Sequence, residues 1–188
     1  MFIQVEPTPN PATLKFLPGD TVMERGTANF PSADVAEASP LAKALFDHGG
    51  VENVFYGWNF VSVTKADAAD WDALKPAVLN ILMQHFSTDQ PLFVSSAPQQ
   101  PETEAMQDDP ADSEIIATIK DLLDQRVRPA VAQDGGDIVY HGFQNGVVYL
   151  NMQGACSGCP MSTATLKNGI ENLLRYYVPE VTEVRAVN

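Results

Sequence analysis

Both cysteines of the chain lie in one short run, Gly154-Ala155-Cys156-Ser157-Gly158-Cys159-Pro160. A Cys-x-x-Cys spacing brings two sulfurs to the same side of a tight loop. Gly154 and Gly158 let the backbone turn and approach closely. Pro160 suits the first turn of a helix, where its missing N–H would be unpaired in any case. The free N–H groups of that helix start, together with its dipole, favour negative charge. The expectation is therefore a pair of thiols titrating below a free cysteine, fit for a metal or for redox chemistry.

Four uses of the pair compete. Two buried small residues without chemistry are the bland one, and a glycine-flanked loop at a helix start makes it the weakest. Zinc normally takes four protein ligands, and His48, His85 and His141 have no finger-like spacing to the pair. A dithiol oxidoreductase would also place its cysteines between a strand and a helix. One helix and one strand after Cys159 are too little for the rest of a thioredoxin sheet, but this remains the alternative reading. The last use is an iron–sulfur cluster, which usually takes four thiolates. One chain offers two and two chains offer four, so a homodimer could hold one cluster with Cys156 and Cys159 from each copy. Ligands shared in this way suit release by thiolate exchange.

The elements that position this loop follow from periodicity. Ile116, Ile119, Leu123 and Val127 mark an amphipathic helix that ends before Gly135-Gly136. Ile138 to Phe143 and Val147 to Met152 read as strands joined through Asn145-Gly146, a strong hairpin signal. A helix runs from about Pro160 to Tyr177, and Val181 to Val187 is a last strand. Helix, strand, strand, helix, strand is an α+β arrangement. Asp134-Gly135-Gly136-Asp137 reads as a helix-to-strand turn.

The first part of the chain has its own pattern. Phe2 to Val5 and Leu14 to Leu17 are strand candidates around the turn Thr8-Pro9-Asn10-Pro11. Ser39-Pro40 starts a helix whose apolar face is Leu41, Ala44 and Leu45, ending at Gly49-Gly50. Val51 to Tyr56 and Phe60 to Lys65 form a hairpin, with Val61 and Val63 on one face and Ser62 and Thr64 on the other. A helix from about Asp70 to Phe86 carries Leu74, Val78, Ile81, Leu82 and His85. Trp58, Phe55 and Phe60 read as hairpin packing.

Two small α/β-type domains, residues 1–87 and 113–188, are expected. Between them, residues 88–112 hold four prolines, six acids and no Lys or Arg, the composition of an extended, self-repelling linker. The chain has 188 residues and net charge −13, of which the linker contributes −6. So acidic a chain repels phosphate backbones, which argues against nucleic acid. No run approaches the roughly 18 apolar residues of a membrane span. Met1-Phe2-Ile3-Gln4-Val5-Glu6-Pro7 resembles neither a secretory leader nor an Arg-rich presequence, so the expected location is the cytoplasm. No Ser-His-Asp or paired-carboxylate constellation supports hydrolysis.

Residues 113–188 resemble the C-terminal domain of NifU and Nfu proteins. The resemblance rests on Asp134-Gly135-Gly136-Asp137-Ile138, on Val147 to Leu150, and on G-A-C-S-G-C-P followed by S-T-A-T-L-K-N-G-I-E. Residues 1–87 are similar to the Nfu N-terminal domain. There the matching runs are T-P-N-P-A-T-L-K-F-L-P-G, S-P-L-A-K-A-L-F, V-F-Y-G-W-N-F-V-S-V-T-K and W-D-A-L-K-P. The resemblance implies a non-enzymatic iron–sulfur cluster carrier with Cys156 and Cys159 as ligands. The cluster expected is [4Fe–4S] more than [2Fe–2S], taken from an upstream scaffold protein and passed to apo-proteins. The first domain would serve targeting or interaction.

Overall fold

The computed structural model describes residues 2–94, 108–157 and 160–187. Gly158, Cys159 and residues 95–107 therefore lie outside the described residues. The chain is α+β and divides between residues 100 and 101 into two units, each with its own sheet.

The first unit is a five-stranded antiparallel sheet. Its strands are β1 (Gln4–Pro7), β2 (Thr13–Leu17), β3 (Ala28–Phe30), β4 (Val51–Tyr56) and β5 (Val61–Lys65), in the order β1-β2-β5-β4-β3. Helices α1 (Ala33–Ala36), α2 (Pro40–His48) and α3 (Trp71–Ser87) complete it. Ser39 caps α2 by accepting from the Ala42 amide, and its hydroxyl also bonds the Tyr56 hydroxyl at 2.8 Å. Asp70 caps α3 through the Asp72 amide. Leu41 and Leu45 of α2 and Leu74, Val78 and Leu82 of α3 share one core with Phe16, Phe30, Val54, Tyr56, Val61 and Val63. On α2 the third buried position is Ala42, while Ala44 faces solvent. The reason is that the stripe turns toward Tyr56, which Ser39 fixes. Strand β3 and helix α1 are too short to leave a periodic signal. Pairing with β4 creates β3, in the register Asn29 opposite Phe55.

The first helical turn of the second unit is capped by Asp109, whose carboxylate accepts from the Ala111 amide. Helix α4 (Ser113–Leu122) continues through a π-helical turn (Leu123–Val127) into α5 (Arg128–Gln133). Then come β6 (Gly136–Gln144), β7 (Val147–Gly154), α6 (Pro160–Tyr177) and β8 (Glu183–Val187). The π turn has two causes in the sequence. Pro129 cannot donate to the carbonyl four residues back, and its ring crowds that carbonyl. Ile119, Leu123, Val127 and Val131 also step by four, which in an α-helix drifts by about 40° per step. The wider turn takes up the drift, so all four stay buried. The Arg128 amide accordingly donates to Leu123, five residues back.

Asn145 and Gly146 both have positive φ, 51° and 80°, as a two-residue hairpin turn requires. β6 pairs antiparallel with β7, and β8 returns parallel to β7 after the α6 crossover. Ile116, Ile119, Leu123, Ile138, Leu150, Ile170, Leu174 and Val184 form the shared core.

Both ends of the acidic stretch 88–112 make contacts that composition does not reveal. Phe93 lies 6.4 Å from Phe30, stacked, and 6.1 Å from Tyr56, while the Val94 amide donates to Ala38. At the other end, Asp108 accepts from the Tyr140 hydroxyl at 2.9 Å and the Phe143 amide at 3.0 Å.

Candidate functional site

Strand β7 delivers the cysteine loop. Gly154, its last residue, pairs with Gly136 at the start of β6 and has φ 64°. The left-handed backbone there bends the chain out of the strand. The Ala155 amide then donates to the Gly135 carbonyl at 3.1 Å, tying the loop to the Asp134–Asp137 turn. The Ser157 amide and hydroxyl both donate to the Gly154 carbonyl. The Thr163 hydroxyl, in the first turn of α6, donates to the Cys156 carbonyl at 3.1 Å. The loop is thus held at both ends, between a strand and a helix start as expected.

The Cys156 side chain points inward. It is 5% exposed and belongs to the core of the second unit. Its Sγ lies against Gly136, where an added Cβ would stand 2.6 Å from that sulfur and 2.6 Å from the Gln153 carbonyl oxygen. Gly136 is therefore a steric requirement of Cys156 and not merely a turn residue.

This placement corrects the expectation of a depressed thiol pKa. Burial pushes the Cys156 thiol up to about 12, and the carboxylates of Asp134 and Asp137 push in the same direction. Desolvation penalises the thiolate across the whole side chain, whereas a helix dipole acts only within its first turn. A thiol held protonated is a poor nucleophile, so Cys156 is not the attacking thiol in this state.

Asp137 is itself buried, at 3% exposure. Arg128 forks onto it, with Nε 2.9 Å from Oδ1 and Nη2 2.8 Å from Oδ2, and reaches Asp124 with Nη1 at 3.1 Å. The Ile138 amide also donates to Asp137 Oδ1. Asp137 and Asp124 hold the Arg128 guanidinium above its ordinary pKa. Periodicity does not mark Arg128 as a site residue, and Gly136 and Asp137 stand out in the sequence only as part of a turn and of the family run at 134–138. In the structure Gly135 has φ 83° and needs glycine for its backbone, whereas Gly136 needs it for space.

The histidines stand apart from the loop. The His48 ring bonds the Gly49 carbonyl, and His85 is buried in the first unit. Among the described residues no group of three or more His, Cys, Asp or Glu side chains is arranged to hold a metal ion, and no helix is long and apolar enough to cross a membrane.

A cysteine loop carried on a helix–hairpin–helix–strand domain, behind a separate sheet domain without cysteine, defines the class of protein. Residues 3–89 match the family described as "Scaffold protein Nfu/NifU N terminal", and residues 119–185 match the "NifU-like domain". The chain belongs to the Nfu family of NifU-like proteins. It is 53% identical over 186 residues to NifU-like protein 5, mitochondrial, of Arabidopsis thaliana, covering 98% of this chain and 67% of that one. It is 48% identical over 188 residues to the NFU1 iron-sulfur cluster scaffold homolog, mitochondrial, of Drosophila ananassae, covering all of this chain and 64% of that one. The chain spans about two thirds of the length of these relatives. The solution structure of a NifU-like protein from Saccharomyces cerevisiae is similar at TM-score 0.46 and 22% identity, over 50% of this chain and 86% of that one.

These names overturn the expected cytoplasmic location, because the similar relatives are mitochondrial proteins. Gln4 to Pro7 form β1, so pairing with β2 accounts for their composition.

Proposed function

We propose that this protein carries an iron–sulfur cluster, [4Fe–4S] more than [2Fe–2S], as cargo. Cys156 and Cys159 of two copies of the chain supply its four thiolates. The cluster comes from an upstream scaffold protein and goes to apo-proteins, with no enzymatic turnover. The carrying observation is that both cysteines share one short run in a NifU-like domain, and that its described part is tied to the Gly135 carbonyl by the Ala155 amide and to α6 by the Thr163 hydroxyl. The relatives' names support the iron–sulfur role and a mitochondrial setting.

Iron deprotonates a coordinating thiol outright, and binding releases that proton. Cys156 is 5% exposed in the free chain, so its sulfur must turn out of the core to meet a cluster shared with a second copy. Residues 113–188 would hold the cluster, residues 1–87 would engage clients, and 88–112 would join them.

Anaerobic reconstitution, followed by iron and sulfide counting beside a mass measurement, tests this reading. The expected product is a dimer with one four-iron cluster per pair of chains. A monomer with a full cluster on each chain would overturn the shared-ligand arrangement.

A further inference from the structure

The buried carboxylate of Asp137 stands one residue from the glycine that touches Cys156 Sγ. A cluster held by thiolates carries negative charge of its own, so an uncompensated carboxylate there works against binding. The helix opposite supplies the remedy. The π turn sets Arg128 where its guanidinium meets Asp137 in a two-pronged fork, 2.9 and 2.8 Å long, while the third nitrogen takes Asp124. One extra residue in a turn rotates the rest of the helix by about 100°, so a regular helix would aim residue 128 elsewhere.

We propose that Arg128 is a positioning residue for cluster binding. Its fork onto Asp137 holds the Gly135–Gly136 turn against the cysteine loop and cancels the carboxylate charge beside it. The inference rests on the cluster-carrier reading above and adds a residue to it. The mechanical link is continuous. Arg128 grips Asp137, Asp137 follows Gly136, Gly136 abuts Cys156 Sγ, and Gly135 accepts from the Ala155 amide. Only an arginine meets both carboxylate oxygens in this way, because a lysine ammonium is a point charge without the fork. Arg128 is itself 39% exposed at the side chain, so it screens the buried charge from the solvent side without being part of the core.

The test monitors loss of visible cluster absorbance to an excess of iron chelator in the full chain. Wild type is compared with Arg128→Lys, Arg128→Gln, and Arg128→Gln combined with Asp137→Asn. Thermal unfolding of each variant is recorded in parallel. Partners in the outer shell of a metal site typically change its affinity by about 10–100-fold, and Arg128→Gln is expected to speed cluster loss by that much. Arg128→Lys, which keeps the charge and loses the fork, should fall between it and wild type. The double variant should recover only part of the way to wild type, because the charge that Arg128 answered is gone while the fork that held the turn stays lost. A purely structural staple would give the opposite order, with the double variant as poor as the single one, and that result overturns the proposal. So does a wild-type rate in Arg128→Gln. If Arg128→Gln does not fold, Arg128→Lys and the double variant decide in the same way. If wild type itself takes up no cluster, the carrier reading fails first and this inference falls with it.

Discussion

Both units bury a charged side chain and answer it differently: Lys15 of the first stands 3.6 Å from the more exposed Glu6 and over the Phe60 ring, whereas Asp137 of the second is held in a two-pronged fork. The first holds both tryptophans and an aromatic core, with Phe16, Phe30, Phe55 and Tyr56 wholly buried. Among the described residues it also holds all three buried side-chain polar atoms without a partner: Asn29 Oδ1, Asn53 Oδ1 and His85 Nε2. The second unit has an aliphatic core on three strands and places a charged carboxylate inside it, answered by a two-pronged arginine. Each orphaned polar atom costs on the order of 1–3 kcal/mol, which a large aromatic core can offset. An uncompensated carboxylate costs more, so the smaller unit supplies a counter-ion. In the second unit the π turn, the buried ion pair and the glycine against sulfur all lie beside the candidate cysteine loop.

The largest expected effect belongs to the loop. Cys156→Ser and Cys159→Ser should each abolish stable cluster absorbance and iron content. Cys156→Ser should also lower the stability of the second unit by about 1–3 kcal/mol, because a hydroxyl replaces a core thiol. Tryptophan fluorescence, which reports the first unit alone, should not change. If either serine variant kept normal iron content, the ligand set would be wrong.

Next in size is Gly136→Ala. Its methyl would need the space of Cys156 Sγ and the Gln153 carbonyl, and overpacking of that kind costs about 1–3 kcal/mol. The variant should melt earlier and lose cluster faster, whereas Gly169→Ala, with open space around its Cβ, should do neither. Equal melting of the two variants would show that the Gly136 contact does not matter.

In the first unit, Phe93→Ala removes a half-buried ring from Phe30 and Tyr56. About 1–2 kcal/mol of stability should go with it, read by tryptophan fluorescence in denaturant, with cluster retention unchanged. An unchanged denaturation midpoint would mean that residues 91–94 only rest on the unit.

The smallest effect is a pH dependence. Burial lowers the pKa of His85 in the folded chain, so the unfolded chain takes up a proton first as pH falls. Its contribution to stability is complete above the ordinary histidine pKa near ~6.5 and declines as pH drops below it toward the folded value. His85→Met, of similar volume and without the orphaned Nε2, should flatten the loss of first-unit stability between pH 7 and 5.5. A slope identical to wild type would assign the pH dependence to other groups.

Much of the fold was legible because it depends on neighbours in sequence. Ile116, Ile119, Leu123 and Val127 are all buried as their spacing requires, Asn145-Gly146 makes the hairpin, and Ser39 and Asp70 cap the helices they precede. The candidate site was named for the same reason, since the only two cysteines of the sequence fall in one short run. Strand β3 was not legible, because three residues carry no period and exist as a strand only by pairing with β4. The π turn was hidden within an ordinary amphipathic spacing, because a run of fours suits an α-helix until Pro129 is set beside it.

The amino-acid order by itself determined the α+β character, the sequence of strands and helices around the cysteines, and the acidic composition of residues 88–112. Each of these depends on side-chain periodicity, turn chemistry or charge within a few residues. Tertiary structure alone decided that Cys156 is buried and held protonated, that Gly136 must lack a side chain, that Arg128 answers Asp137, and that Phe93 packs on Phe30. Those outcomes depend on which surfaces distant segments bring together. Desolvation is a property of the assembled environment, so a helix start that favours a thiolate locally yields a neutral thiol once the core closes over it.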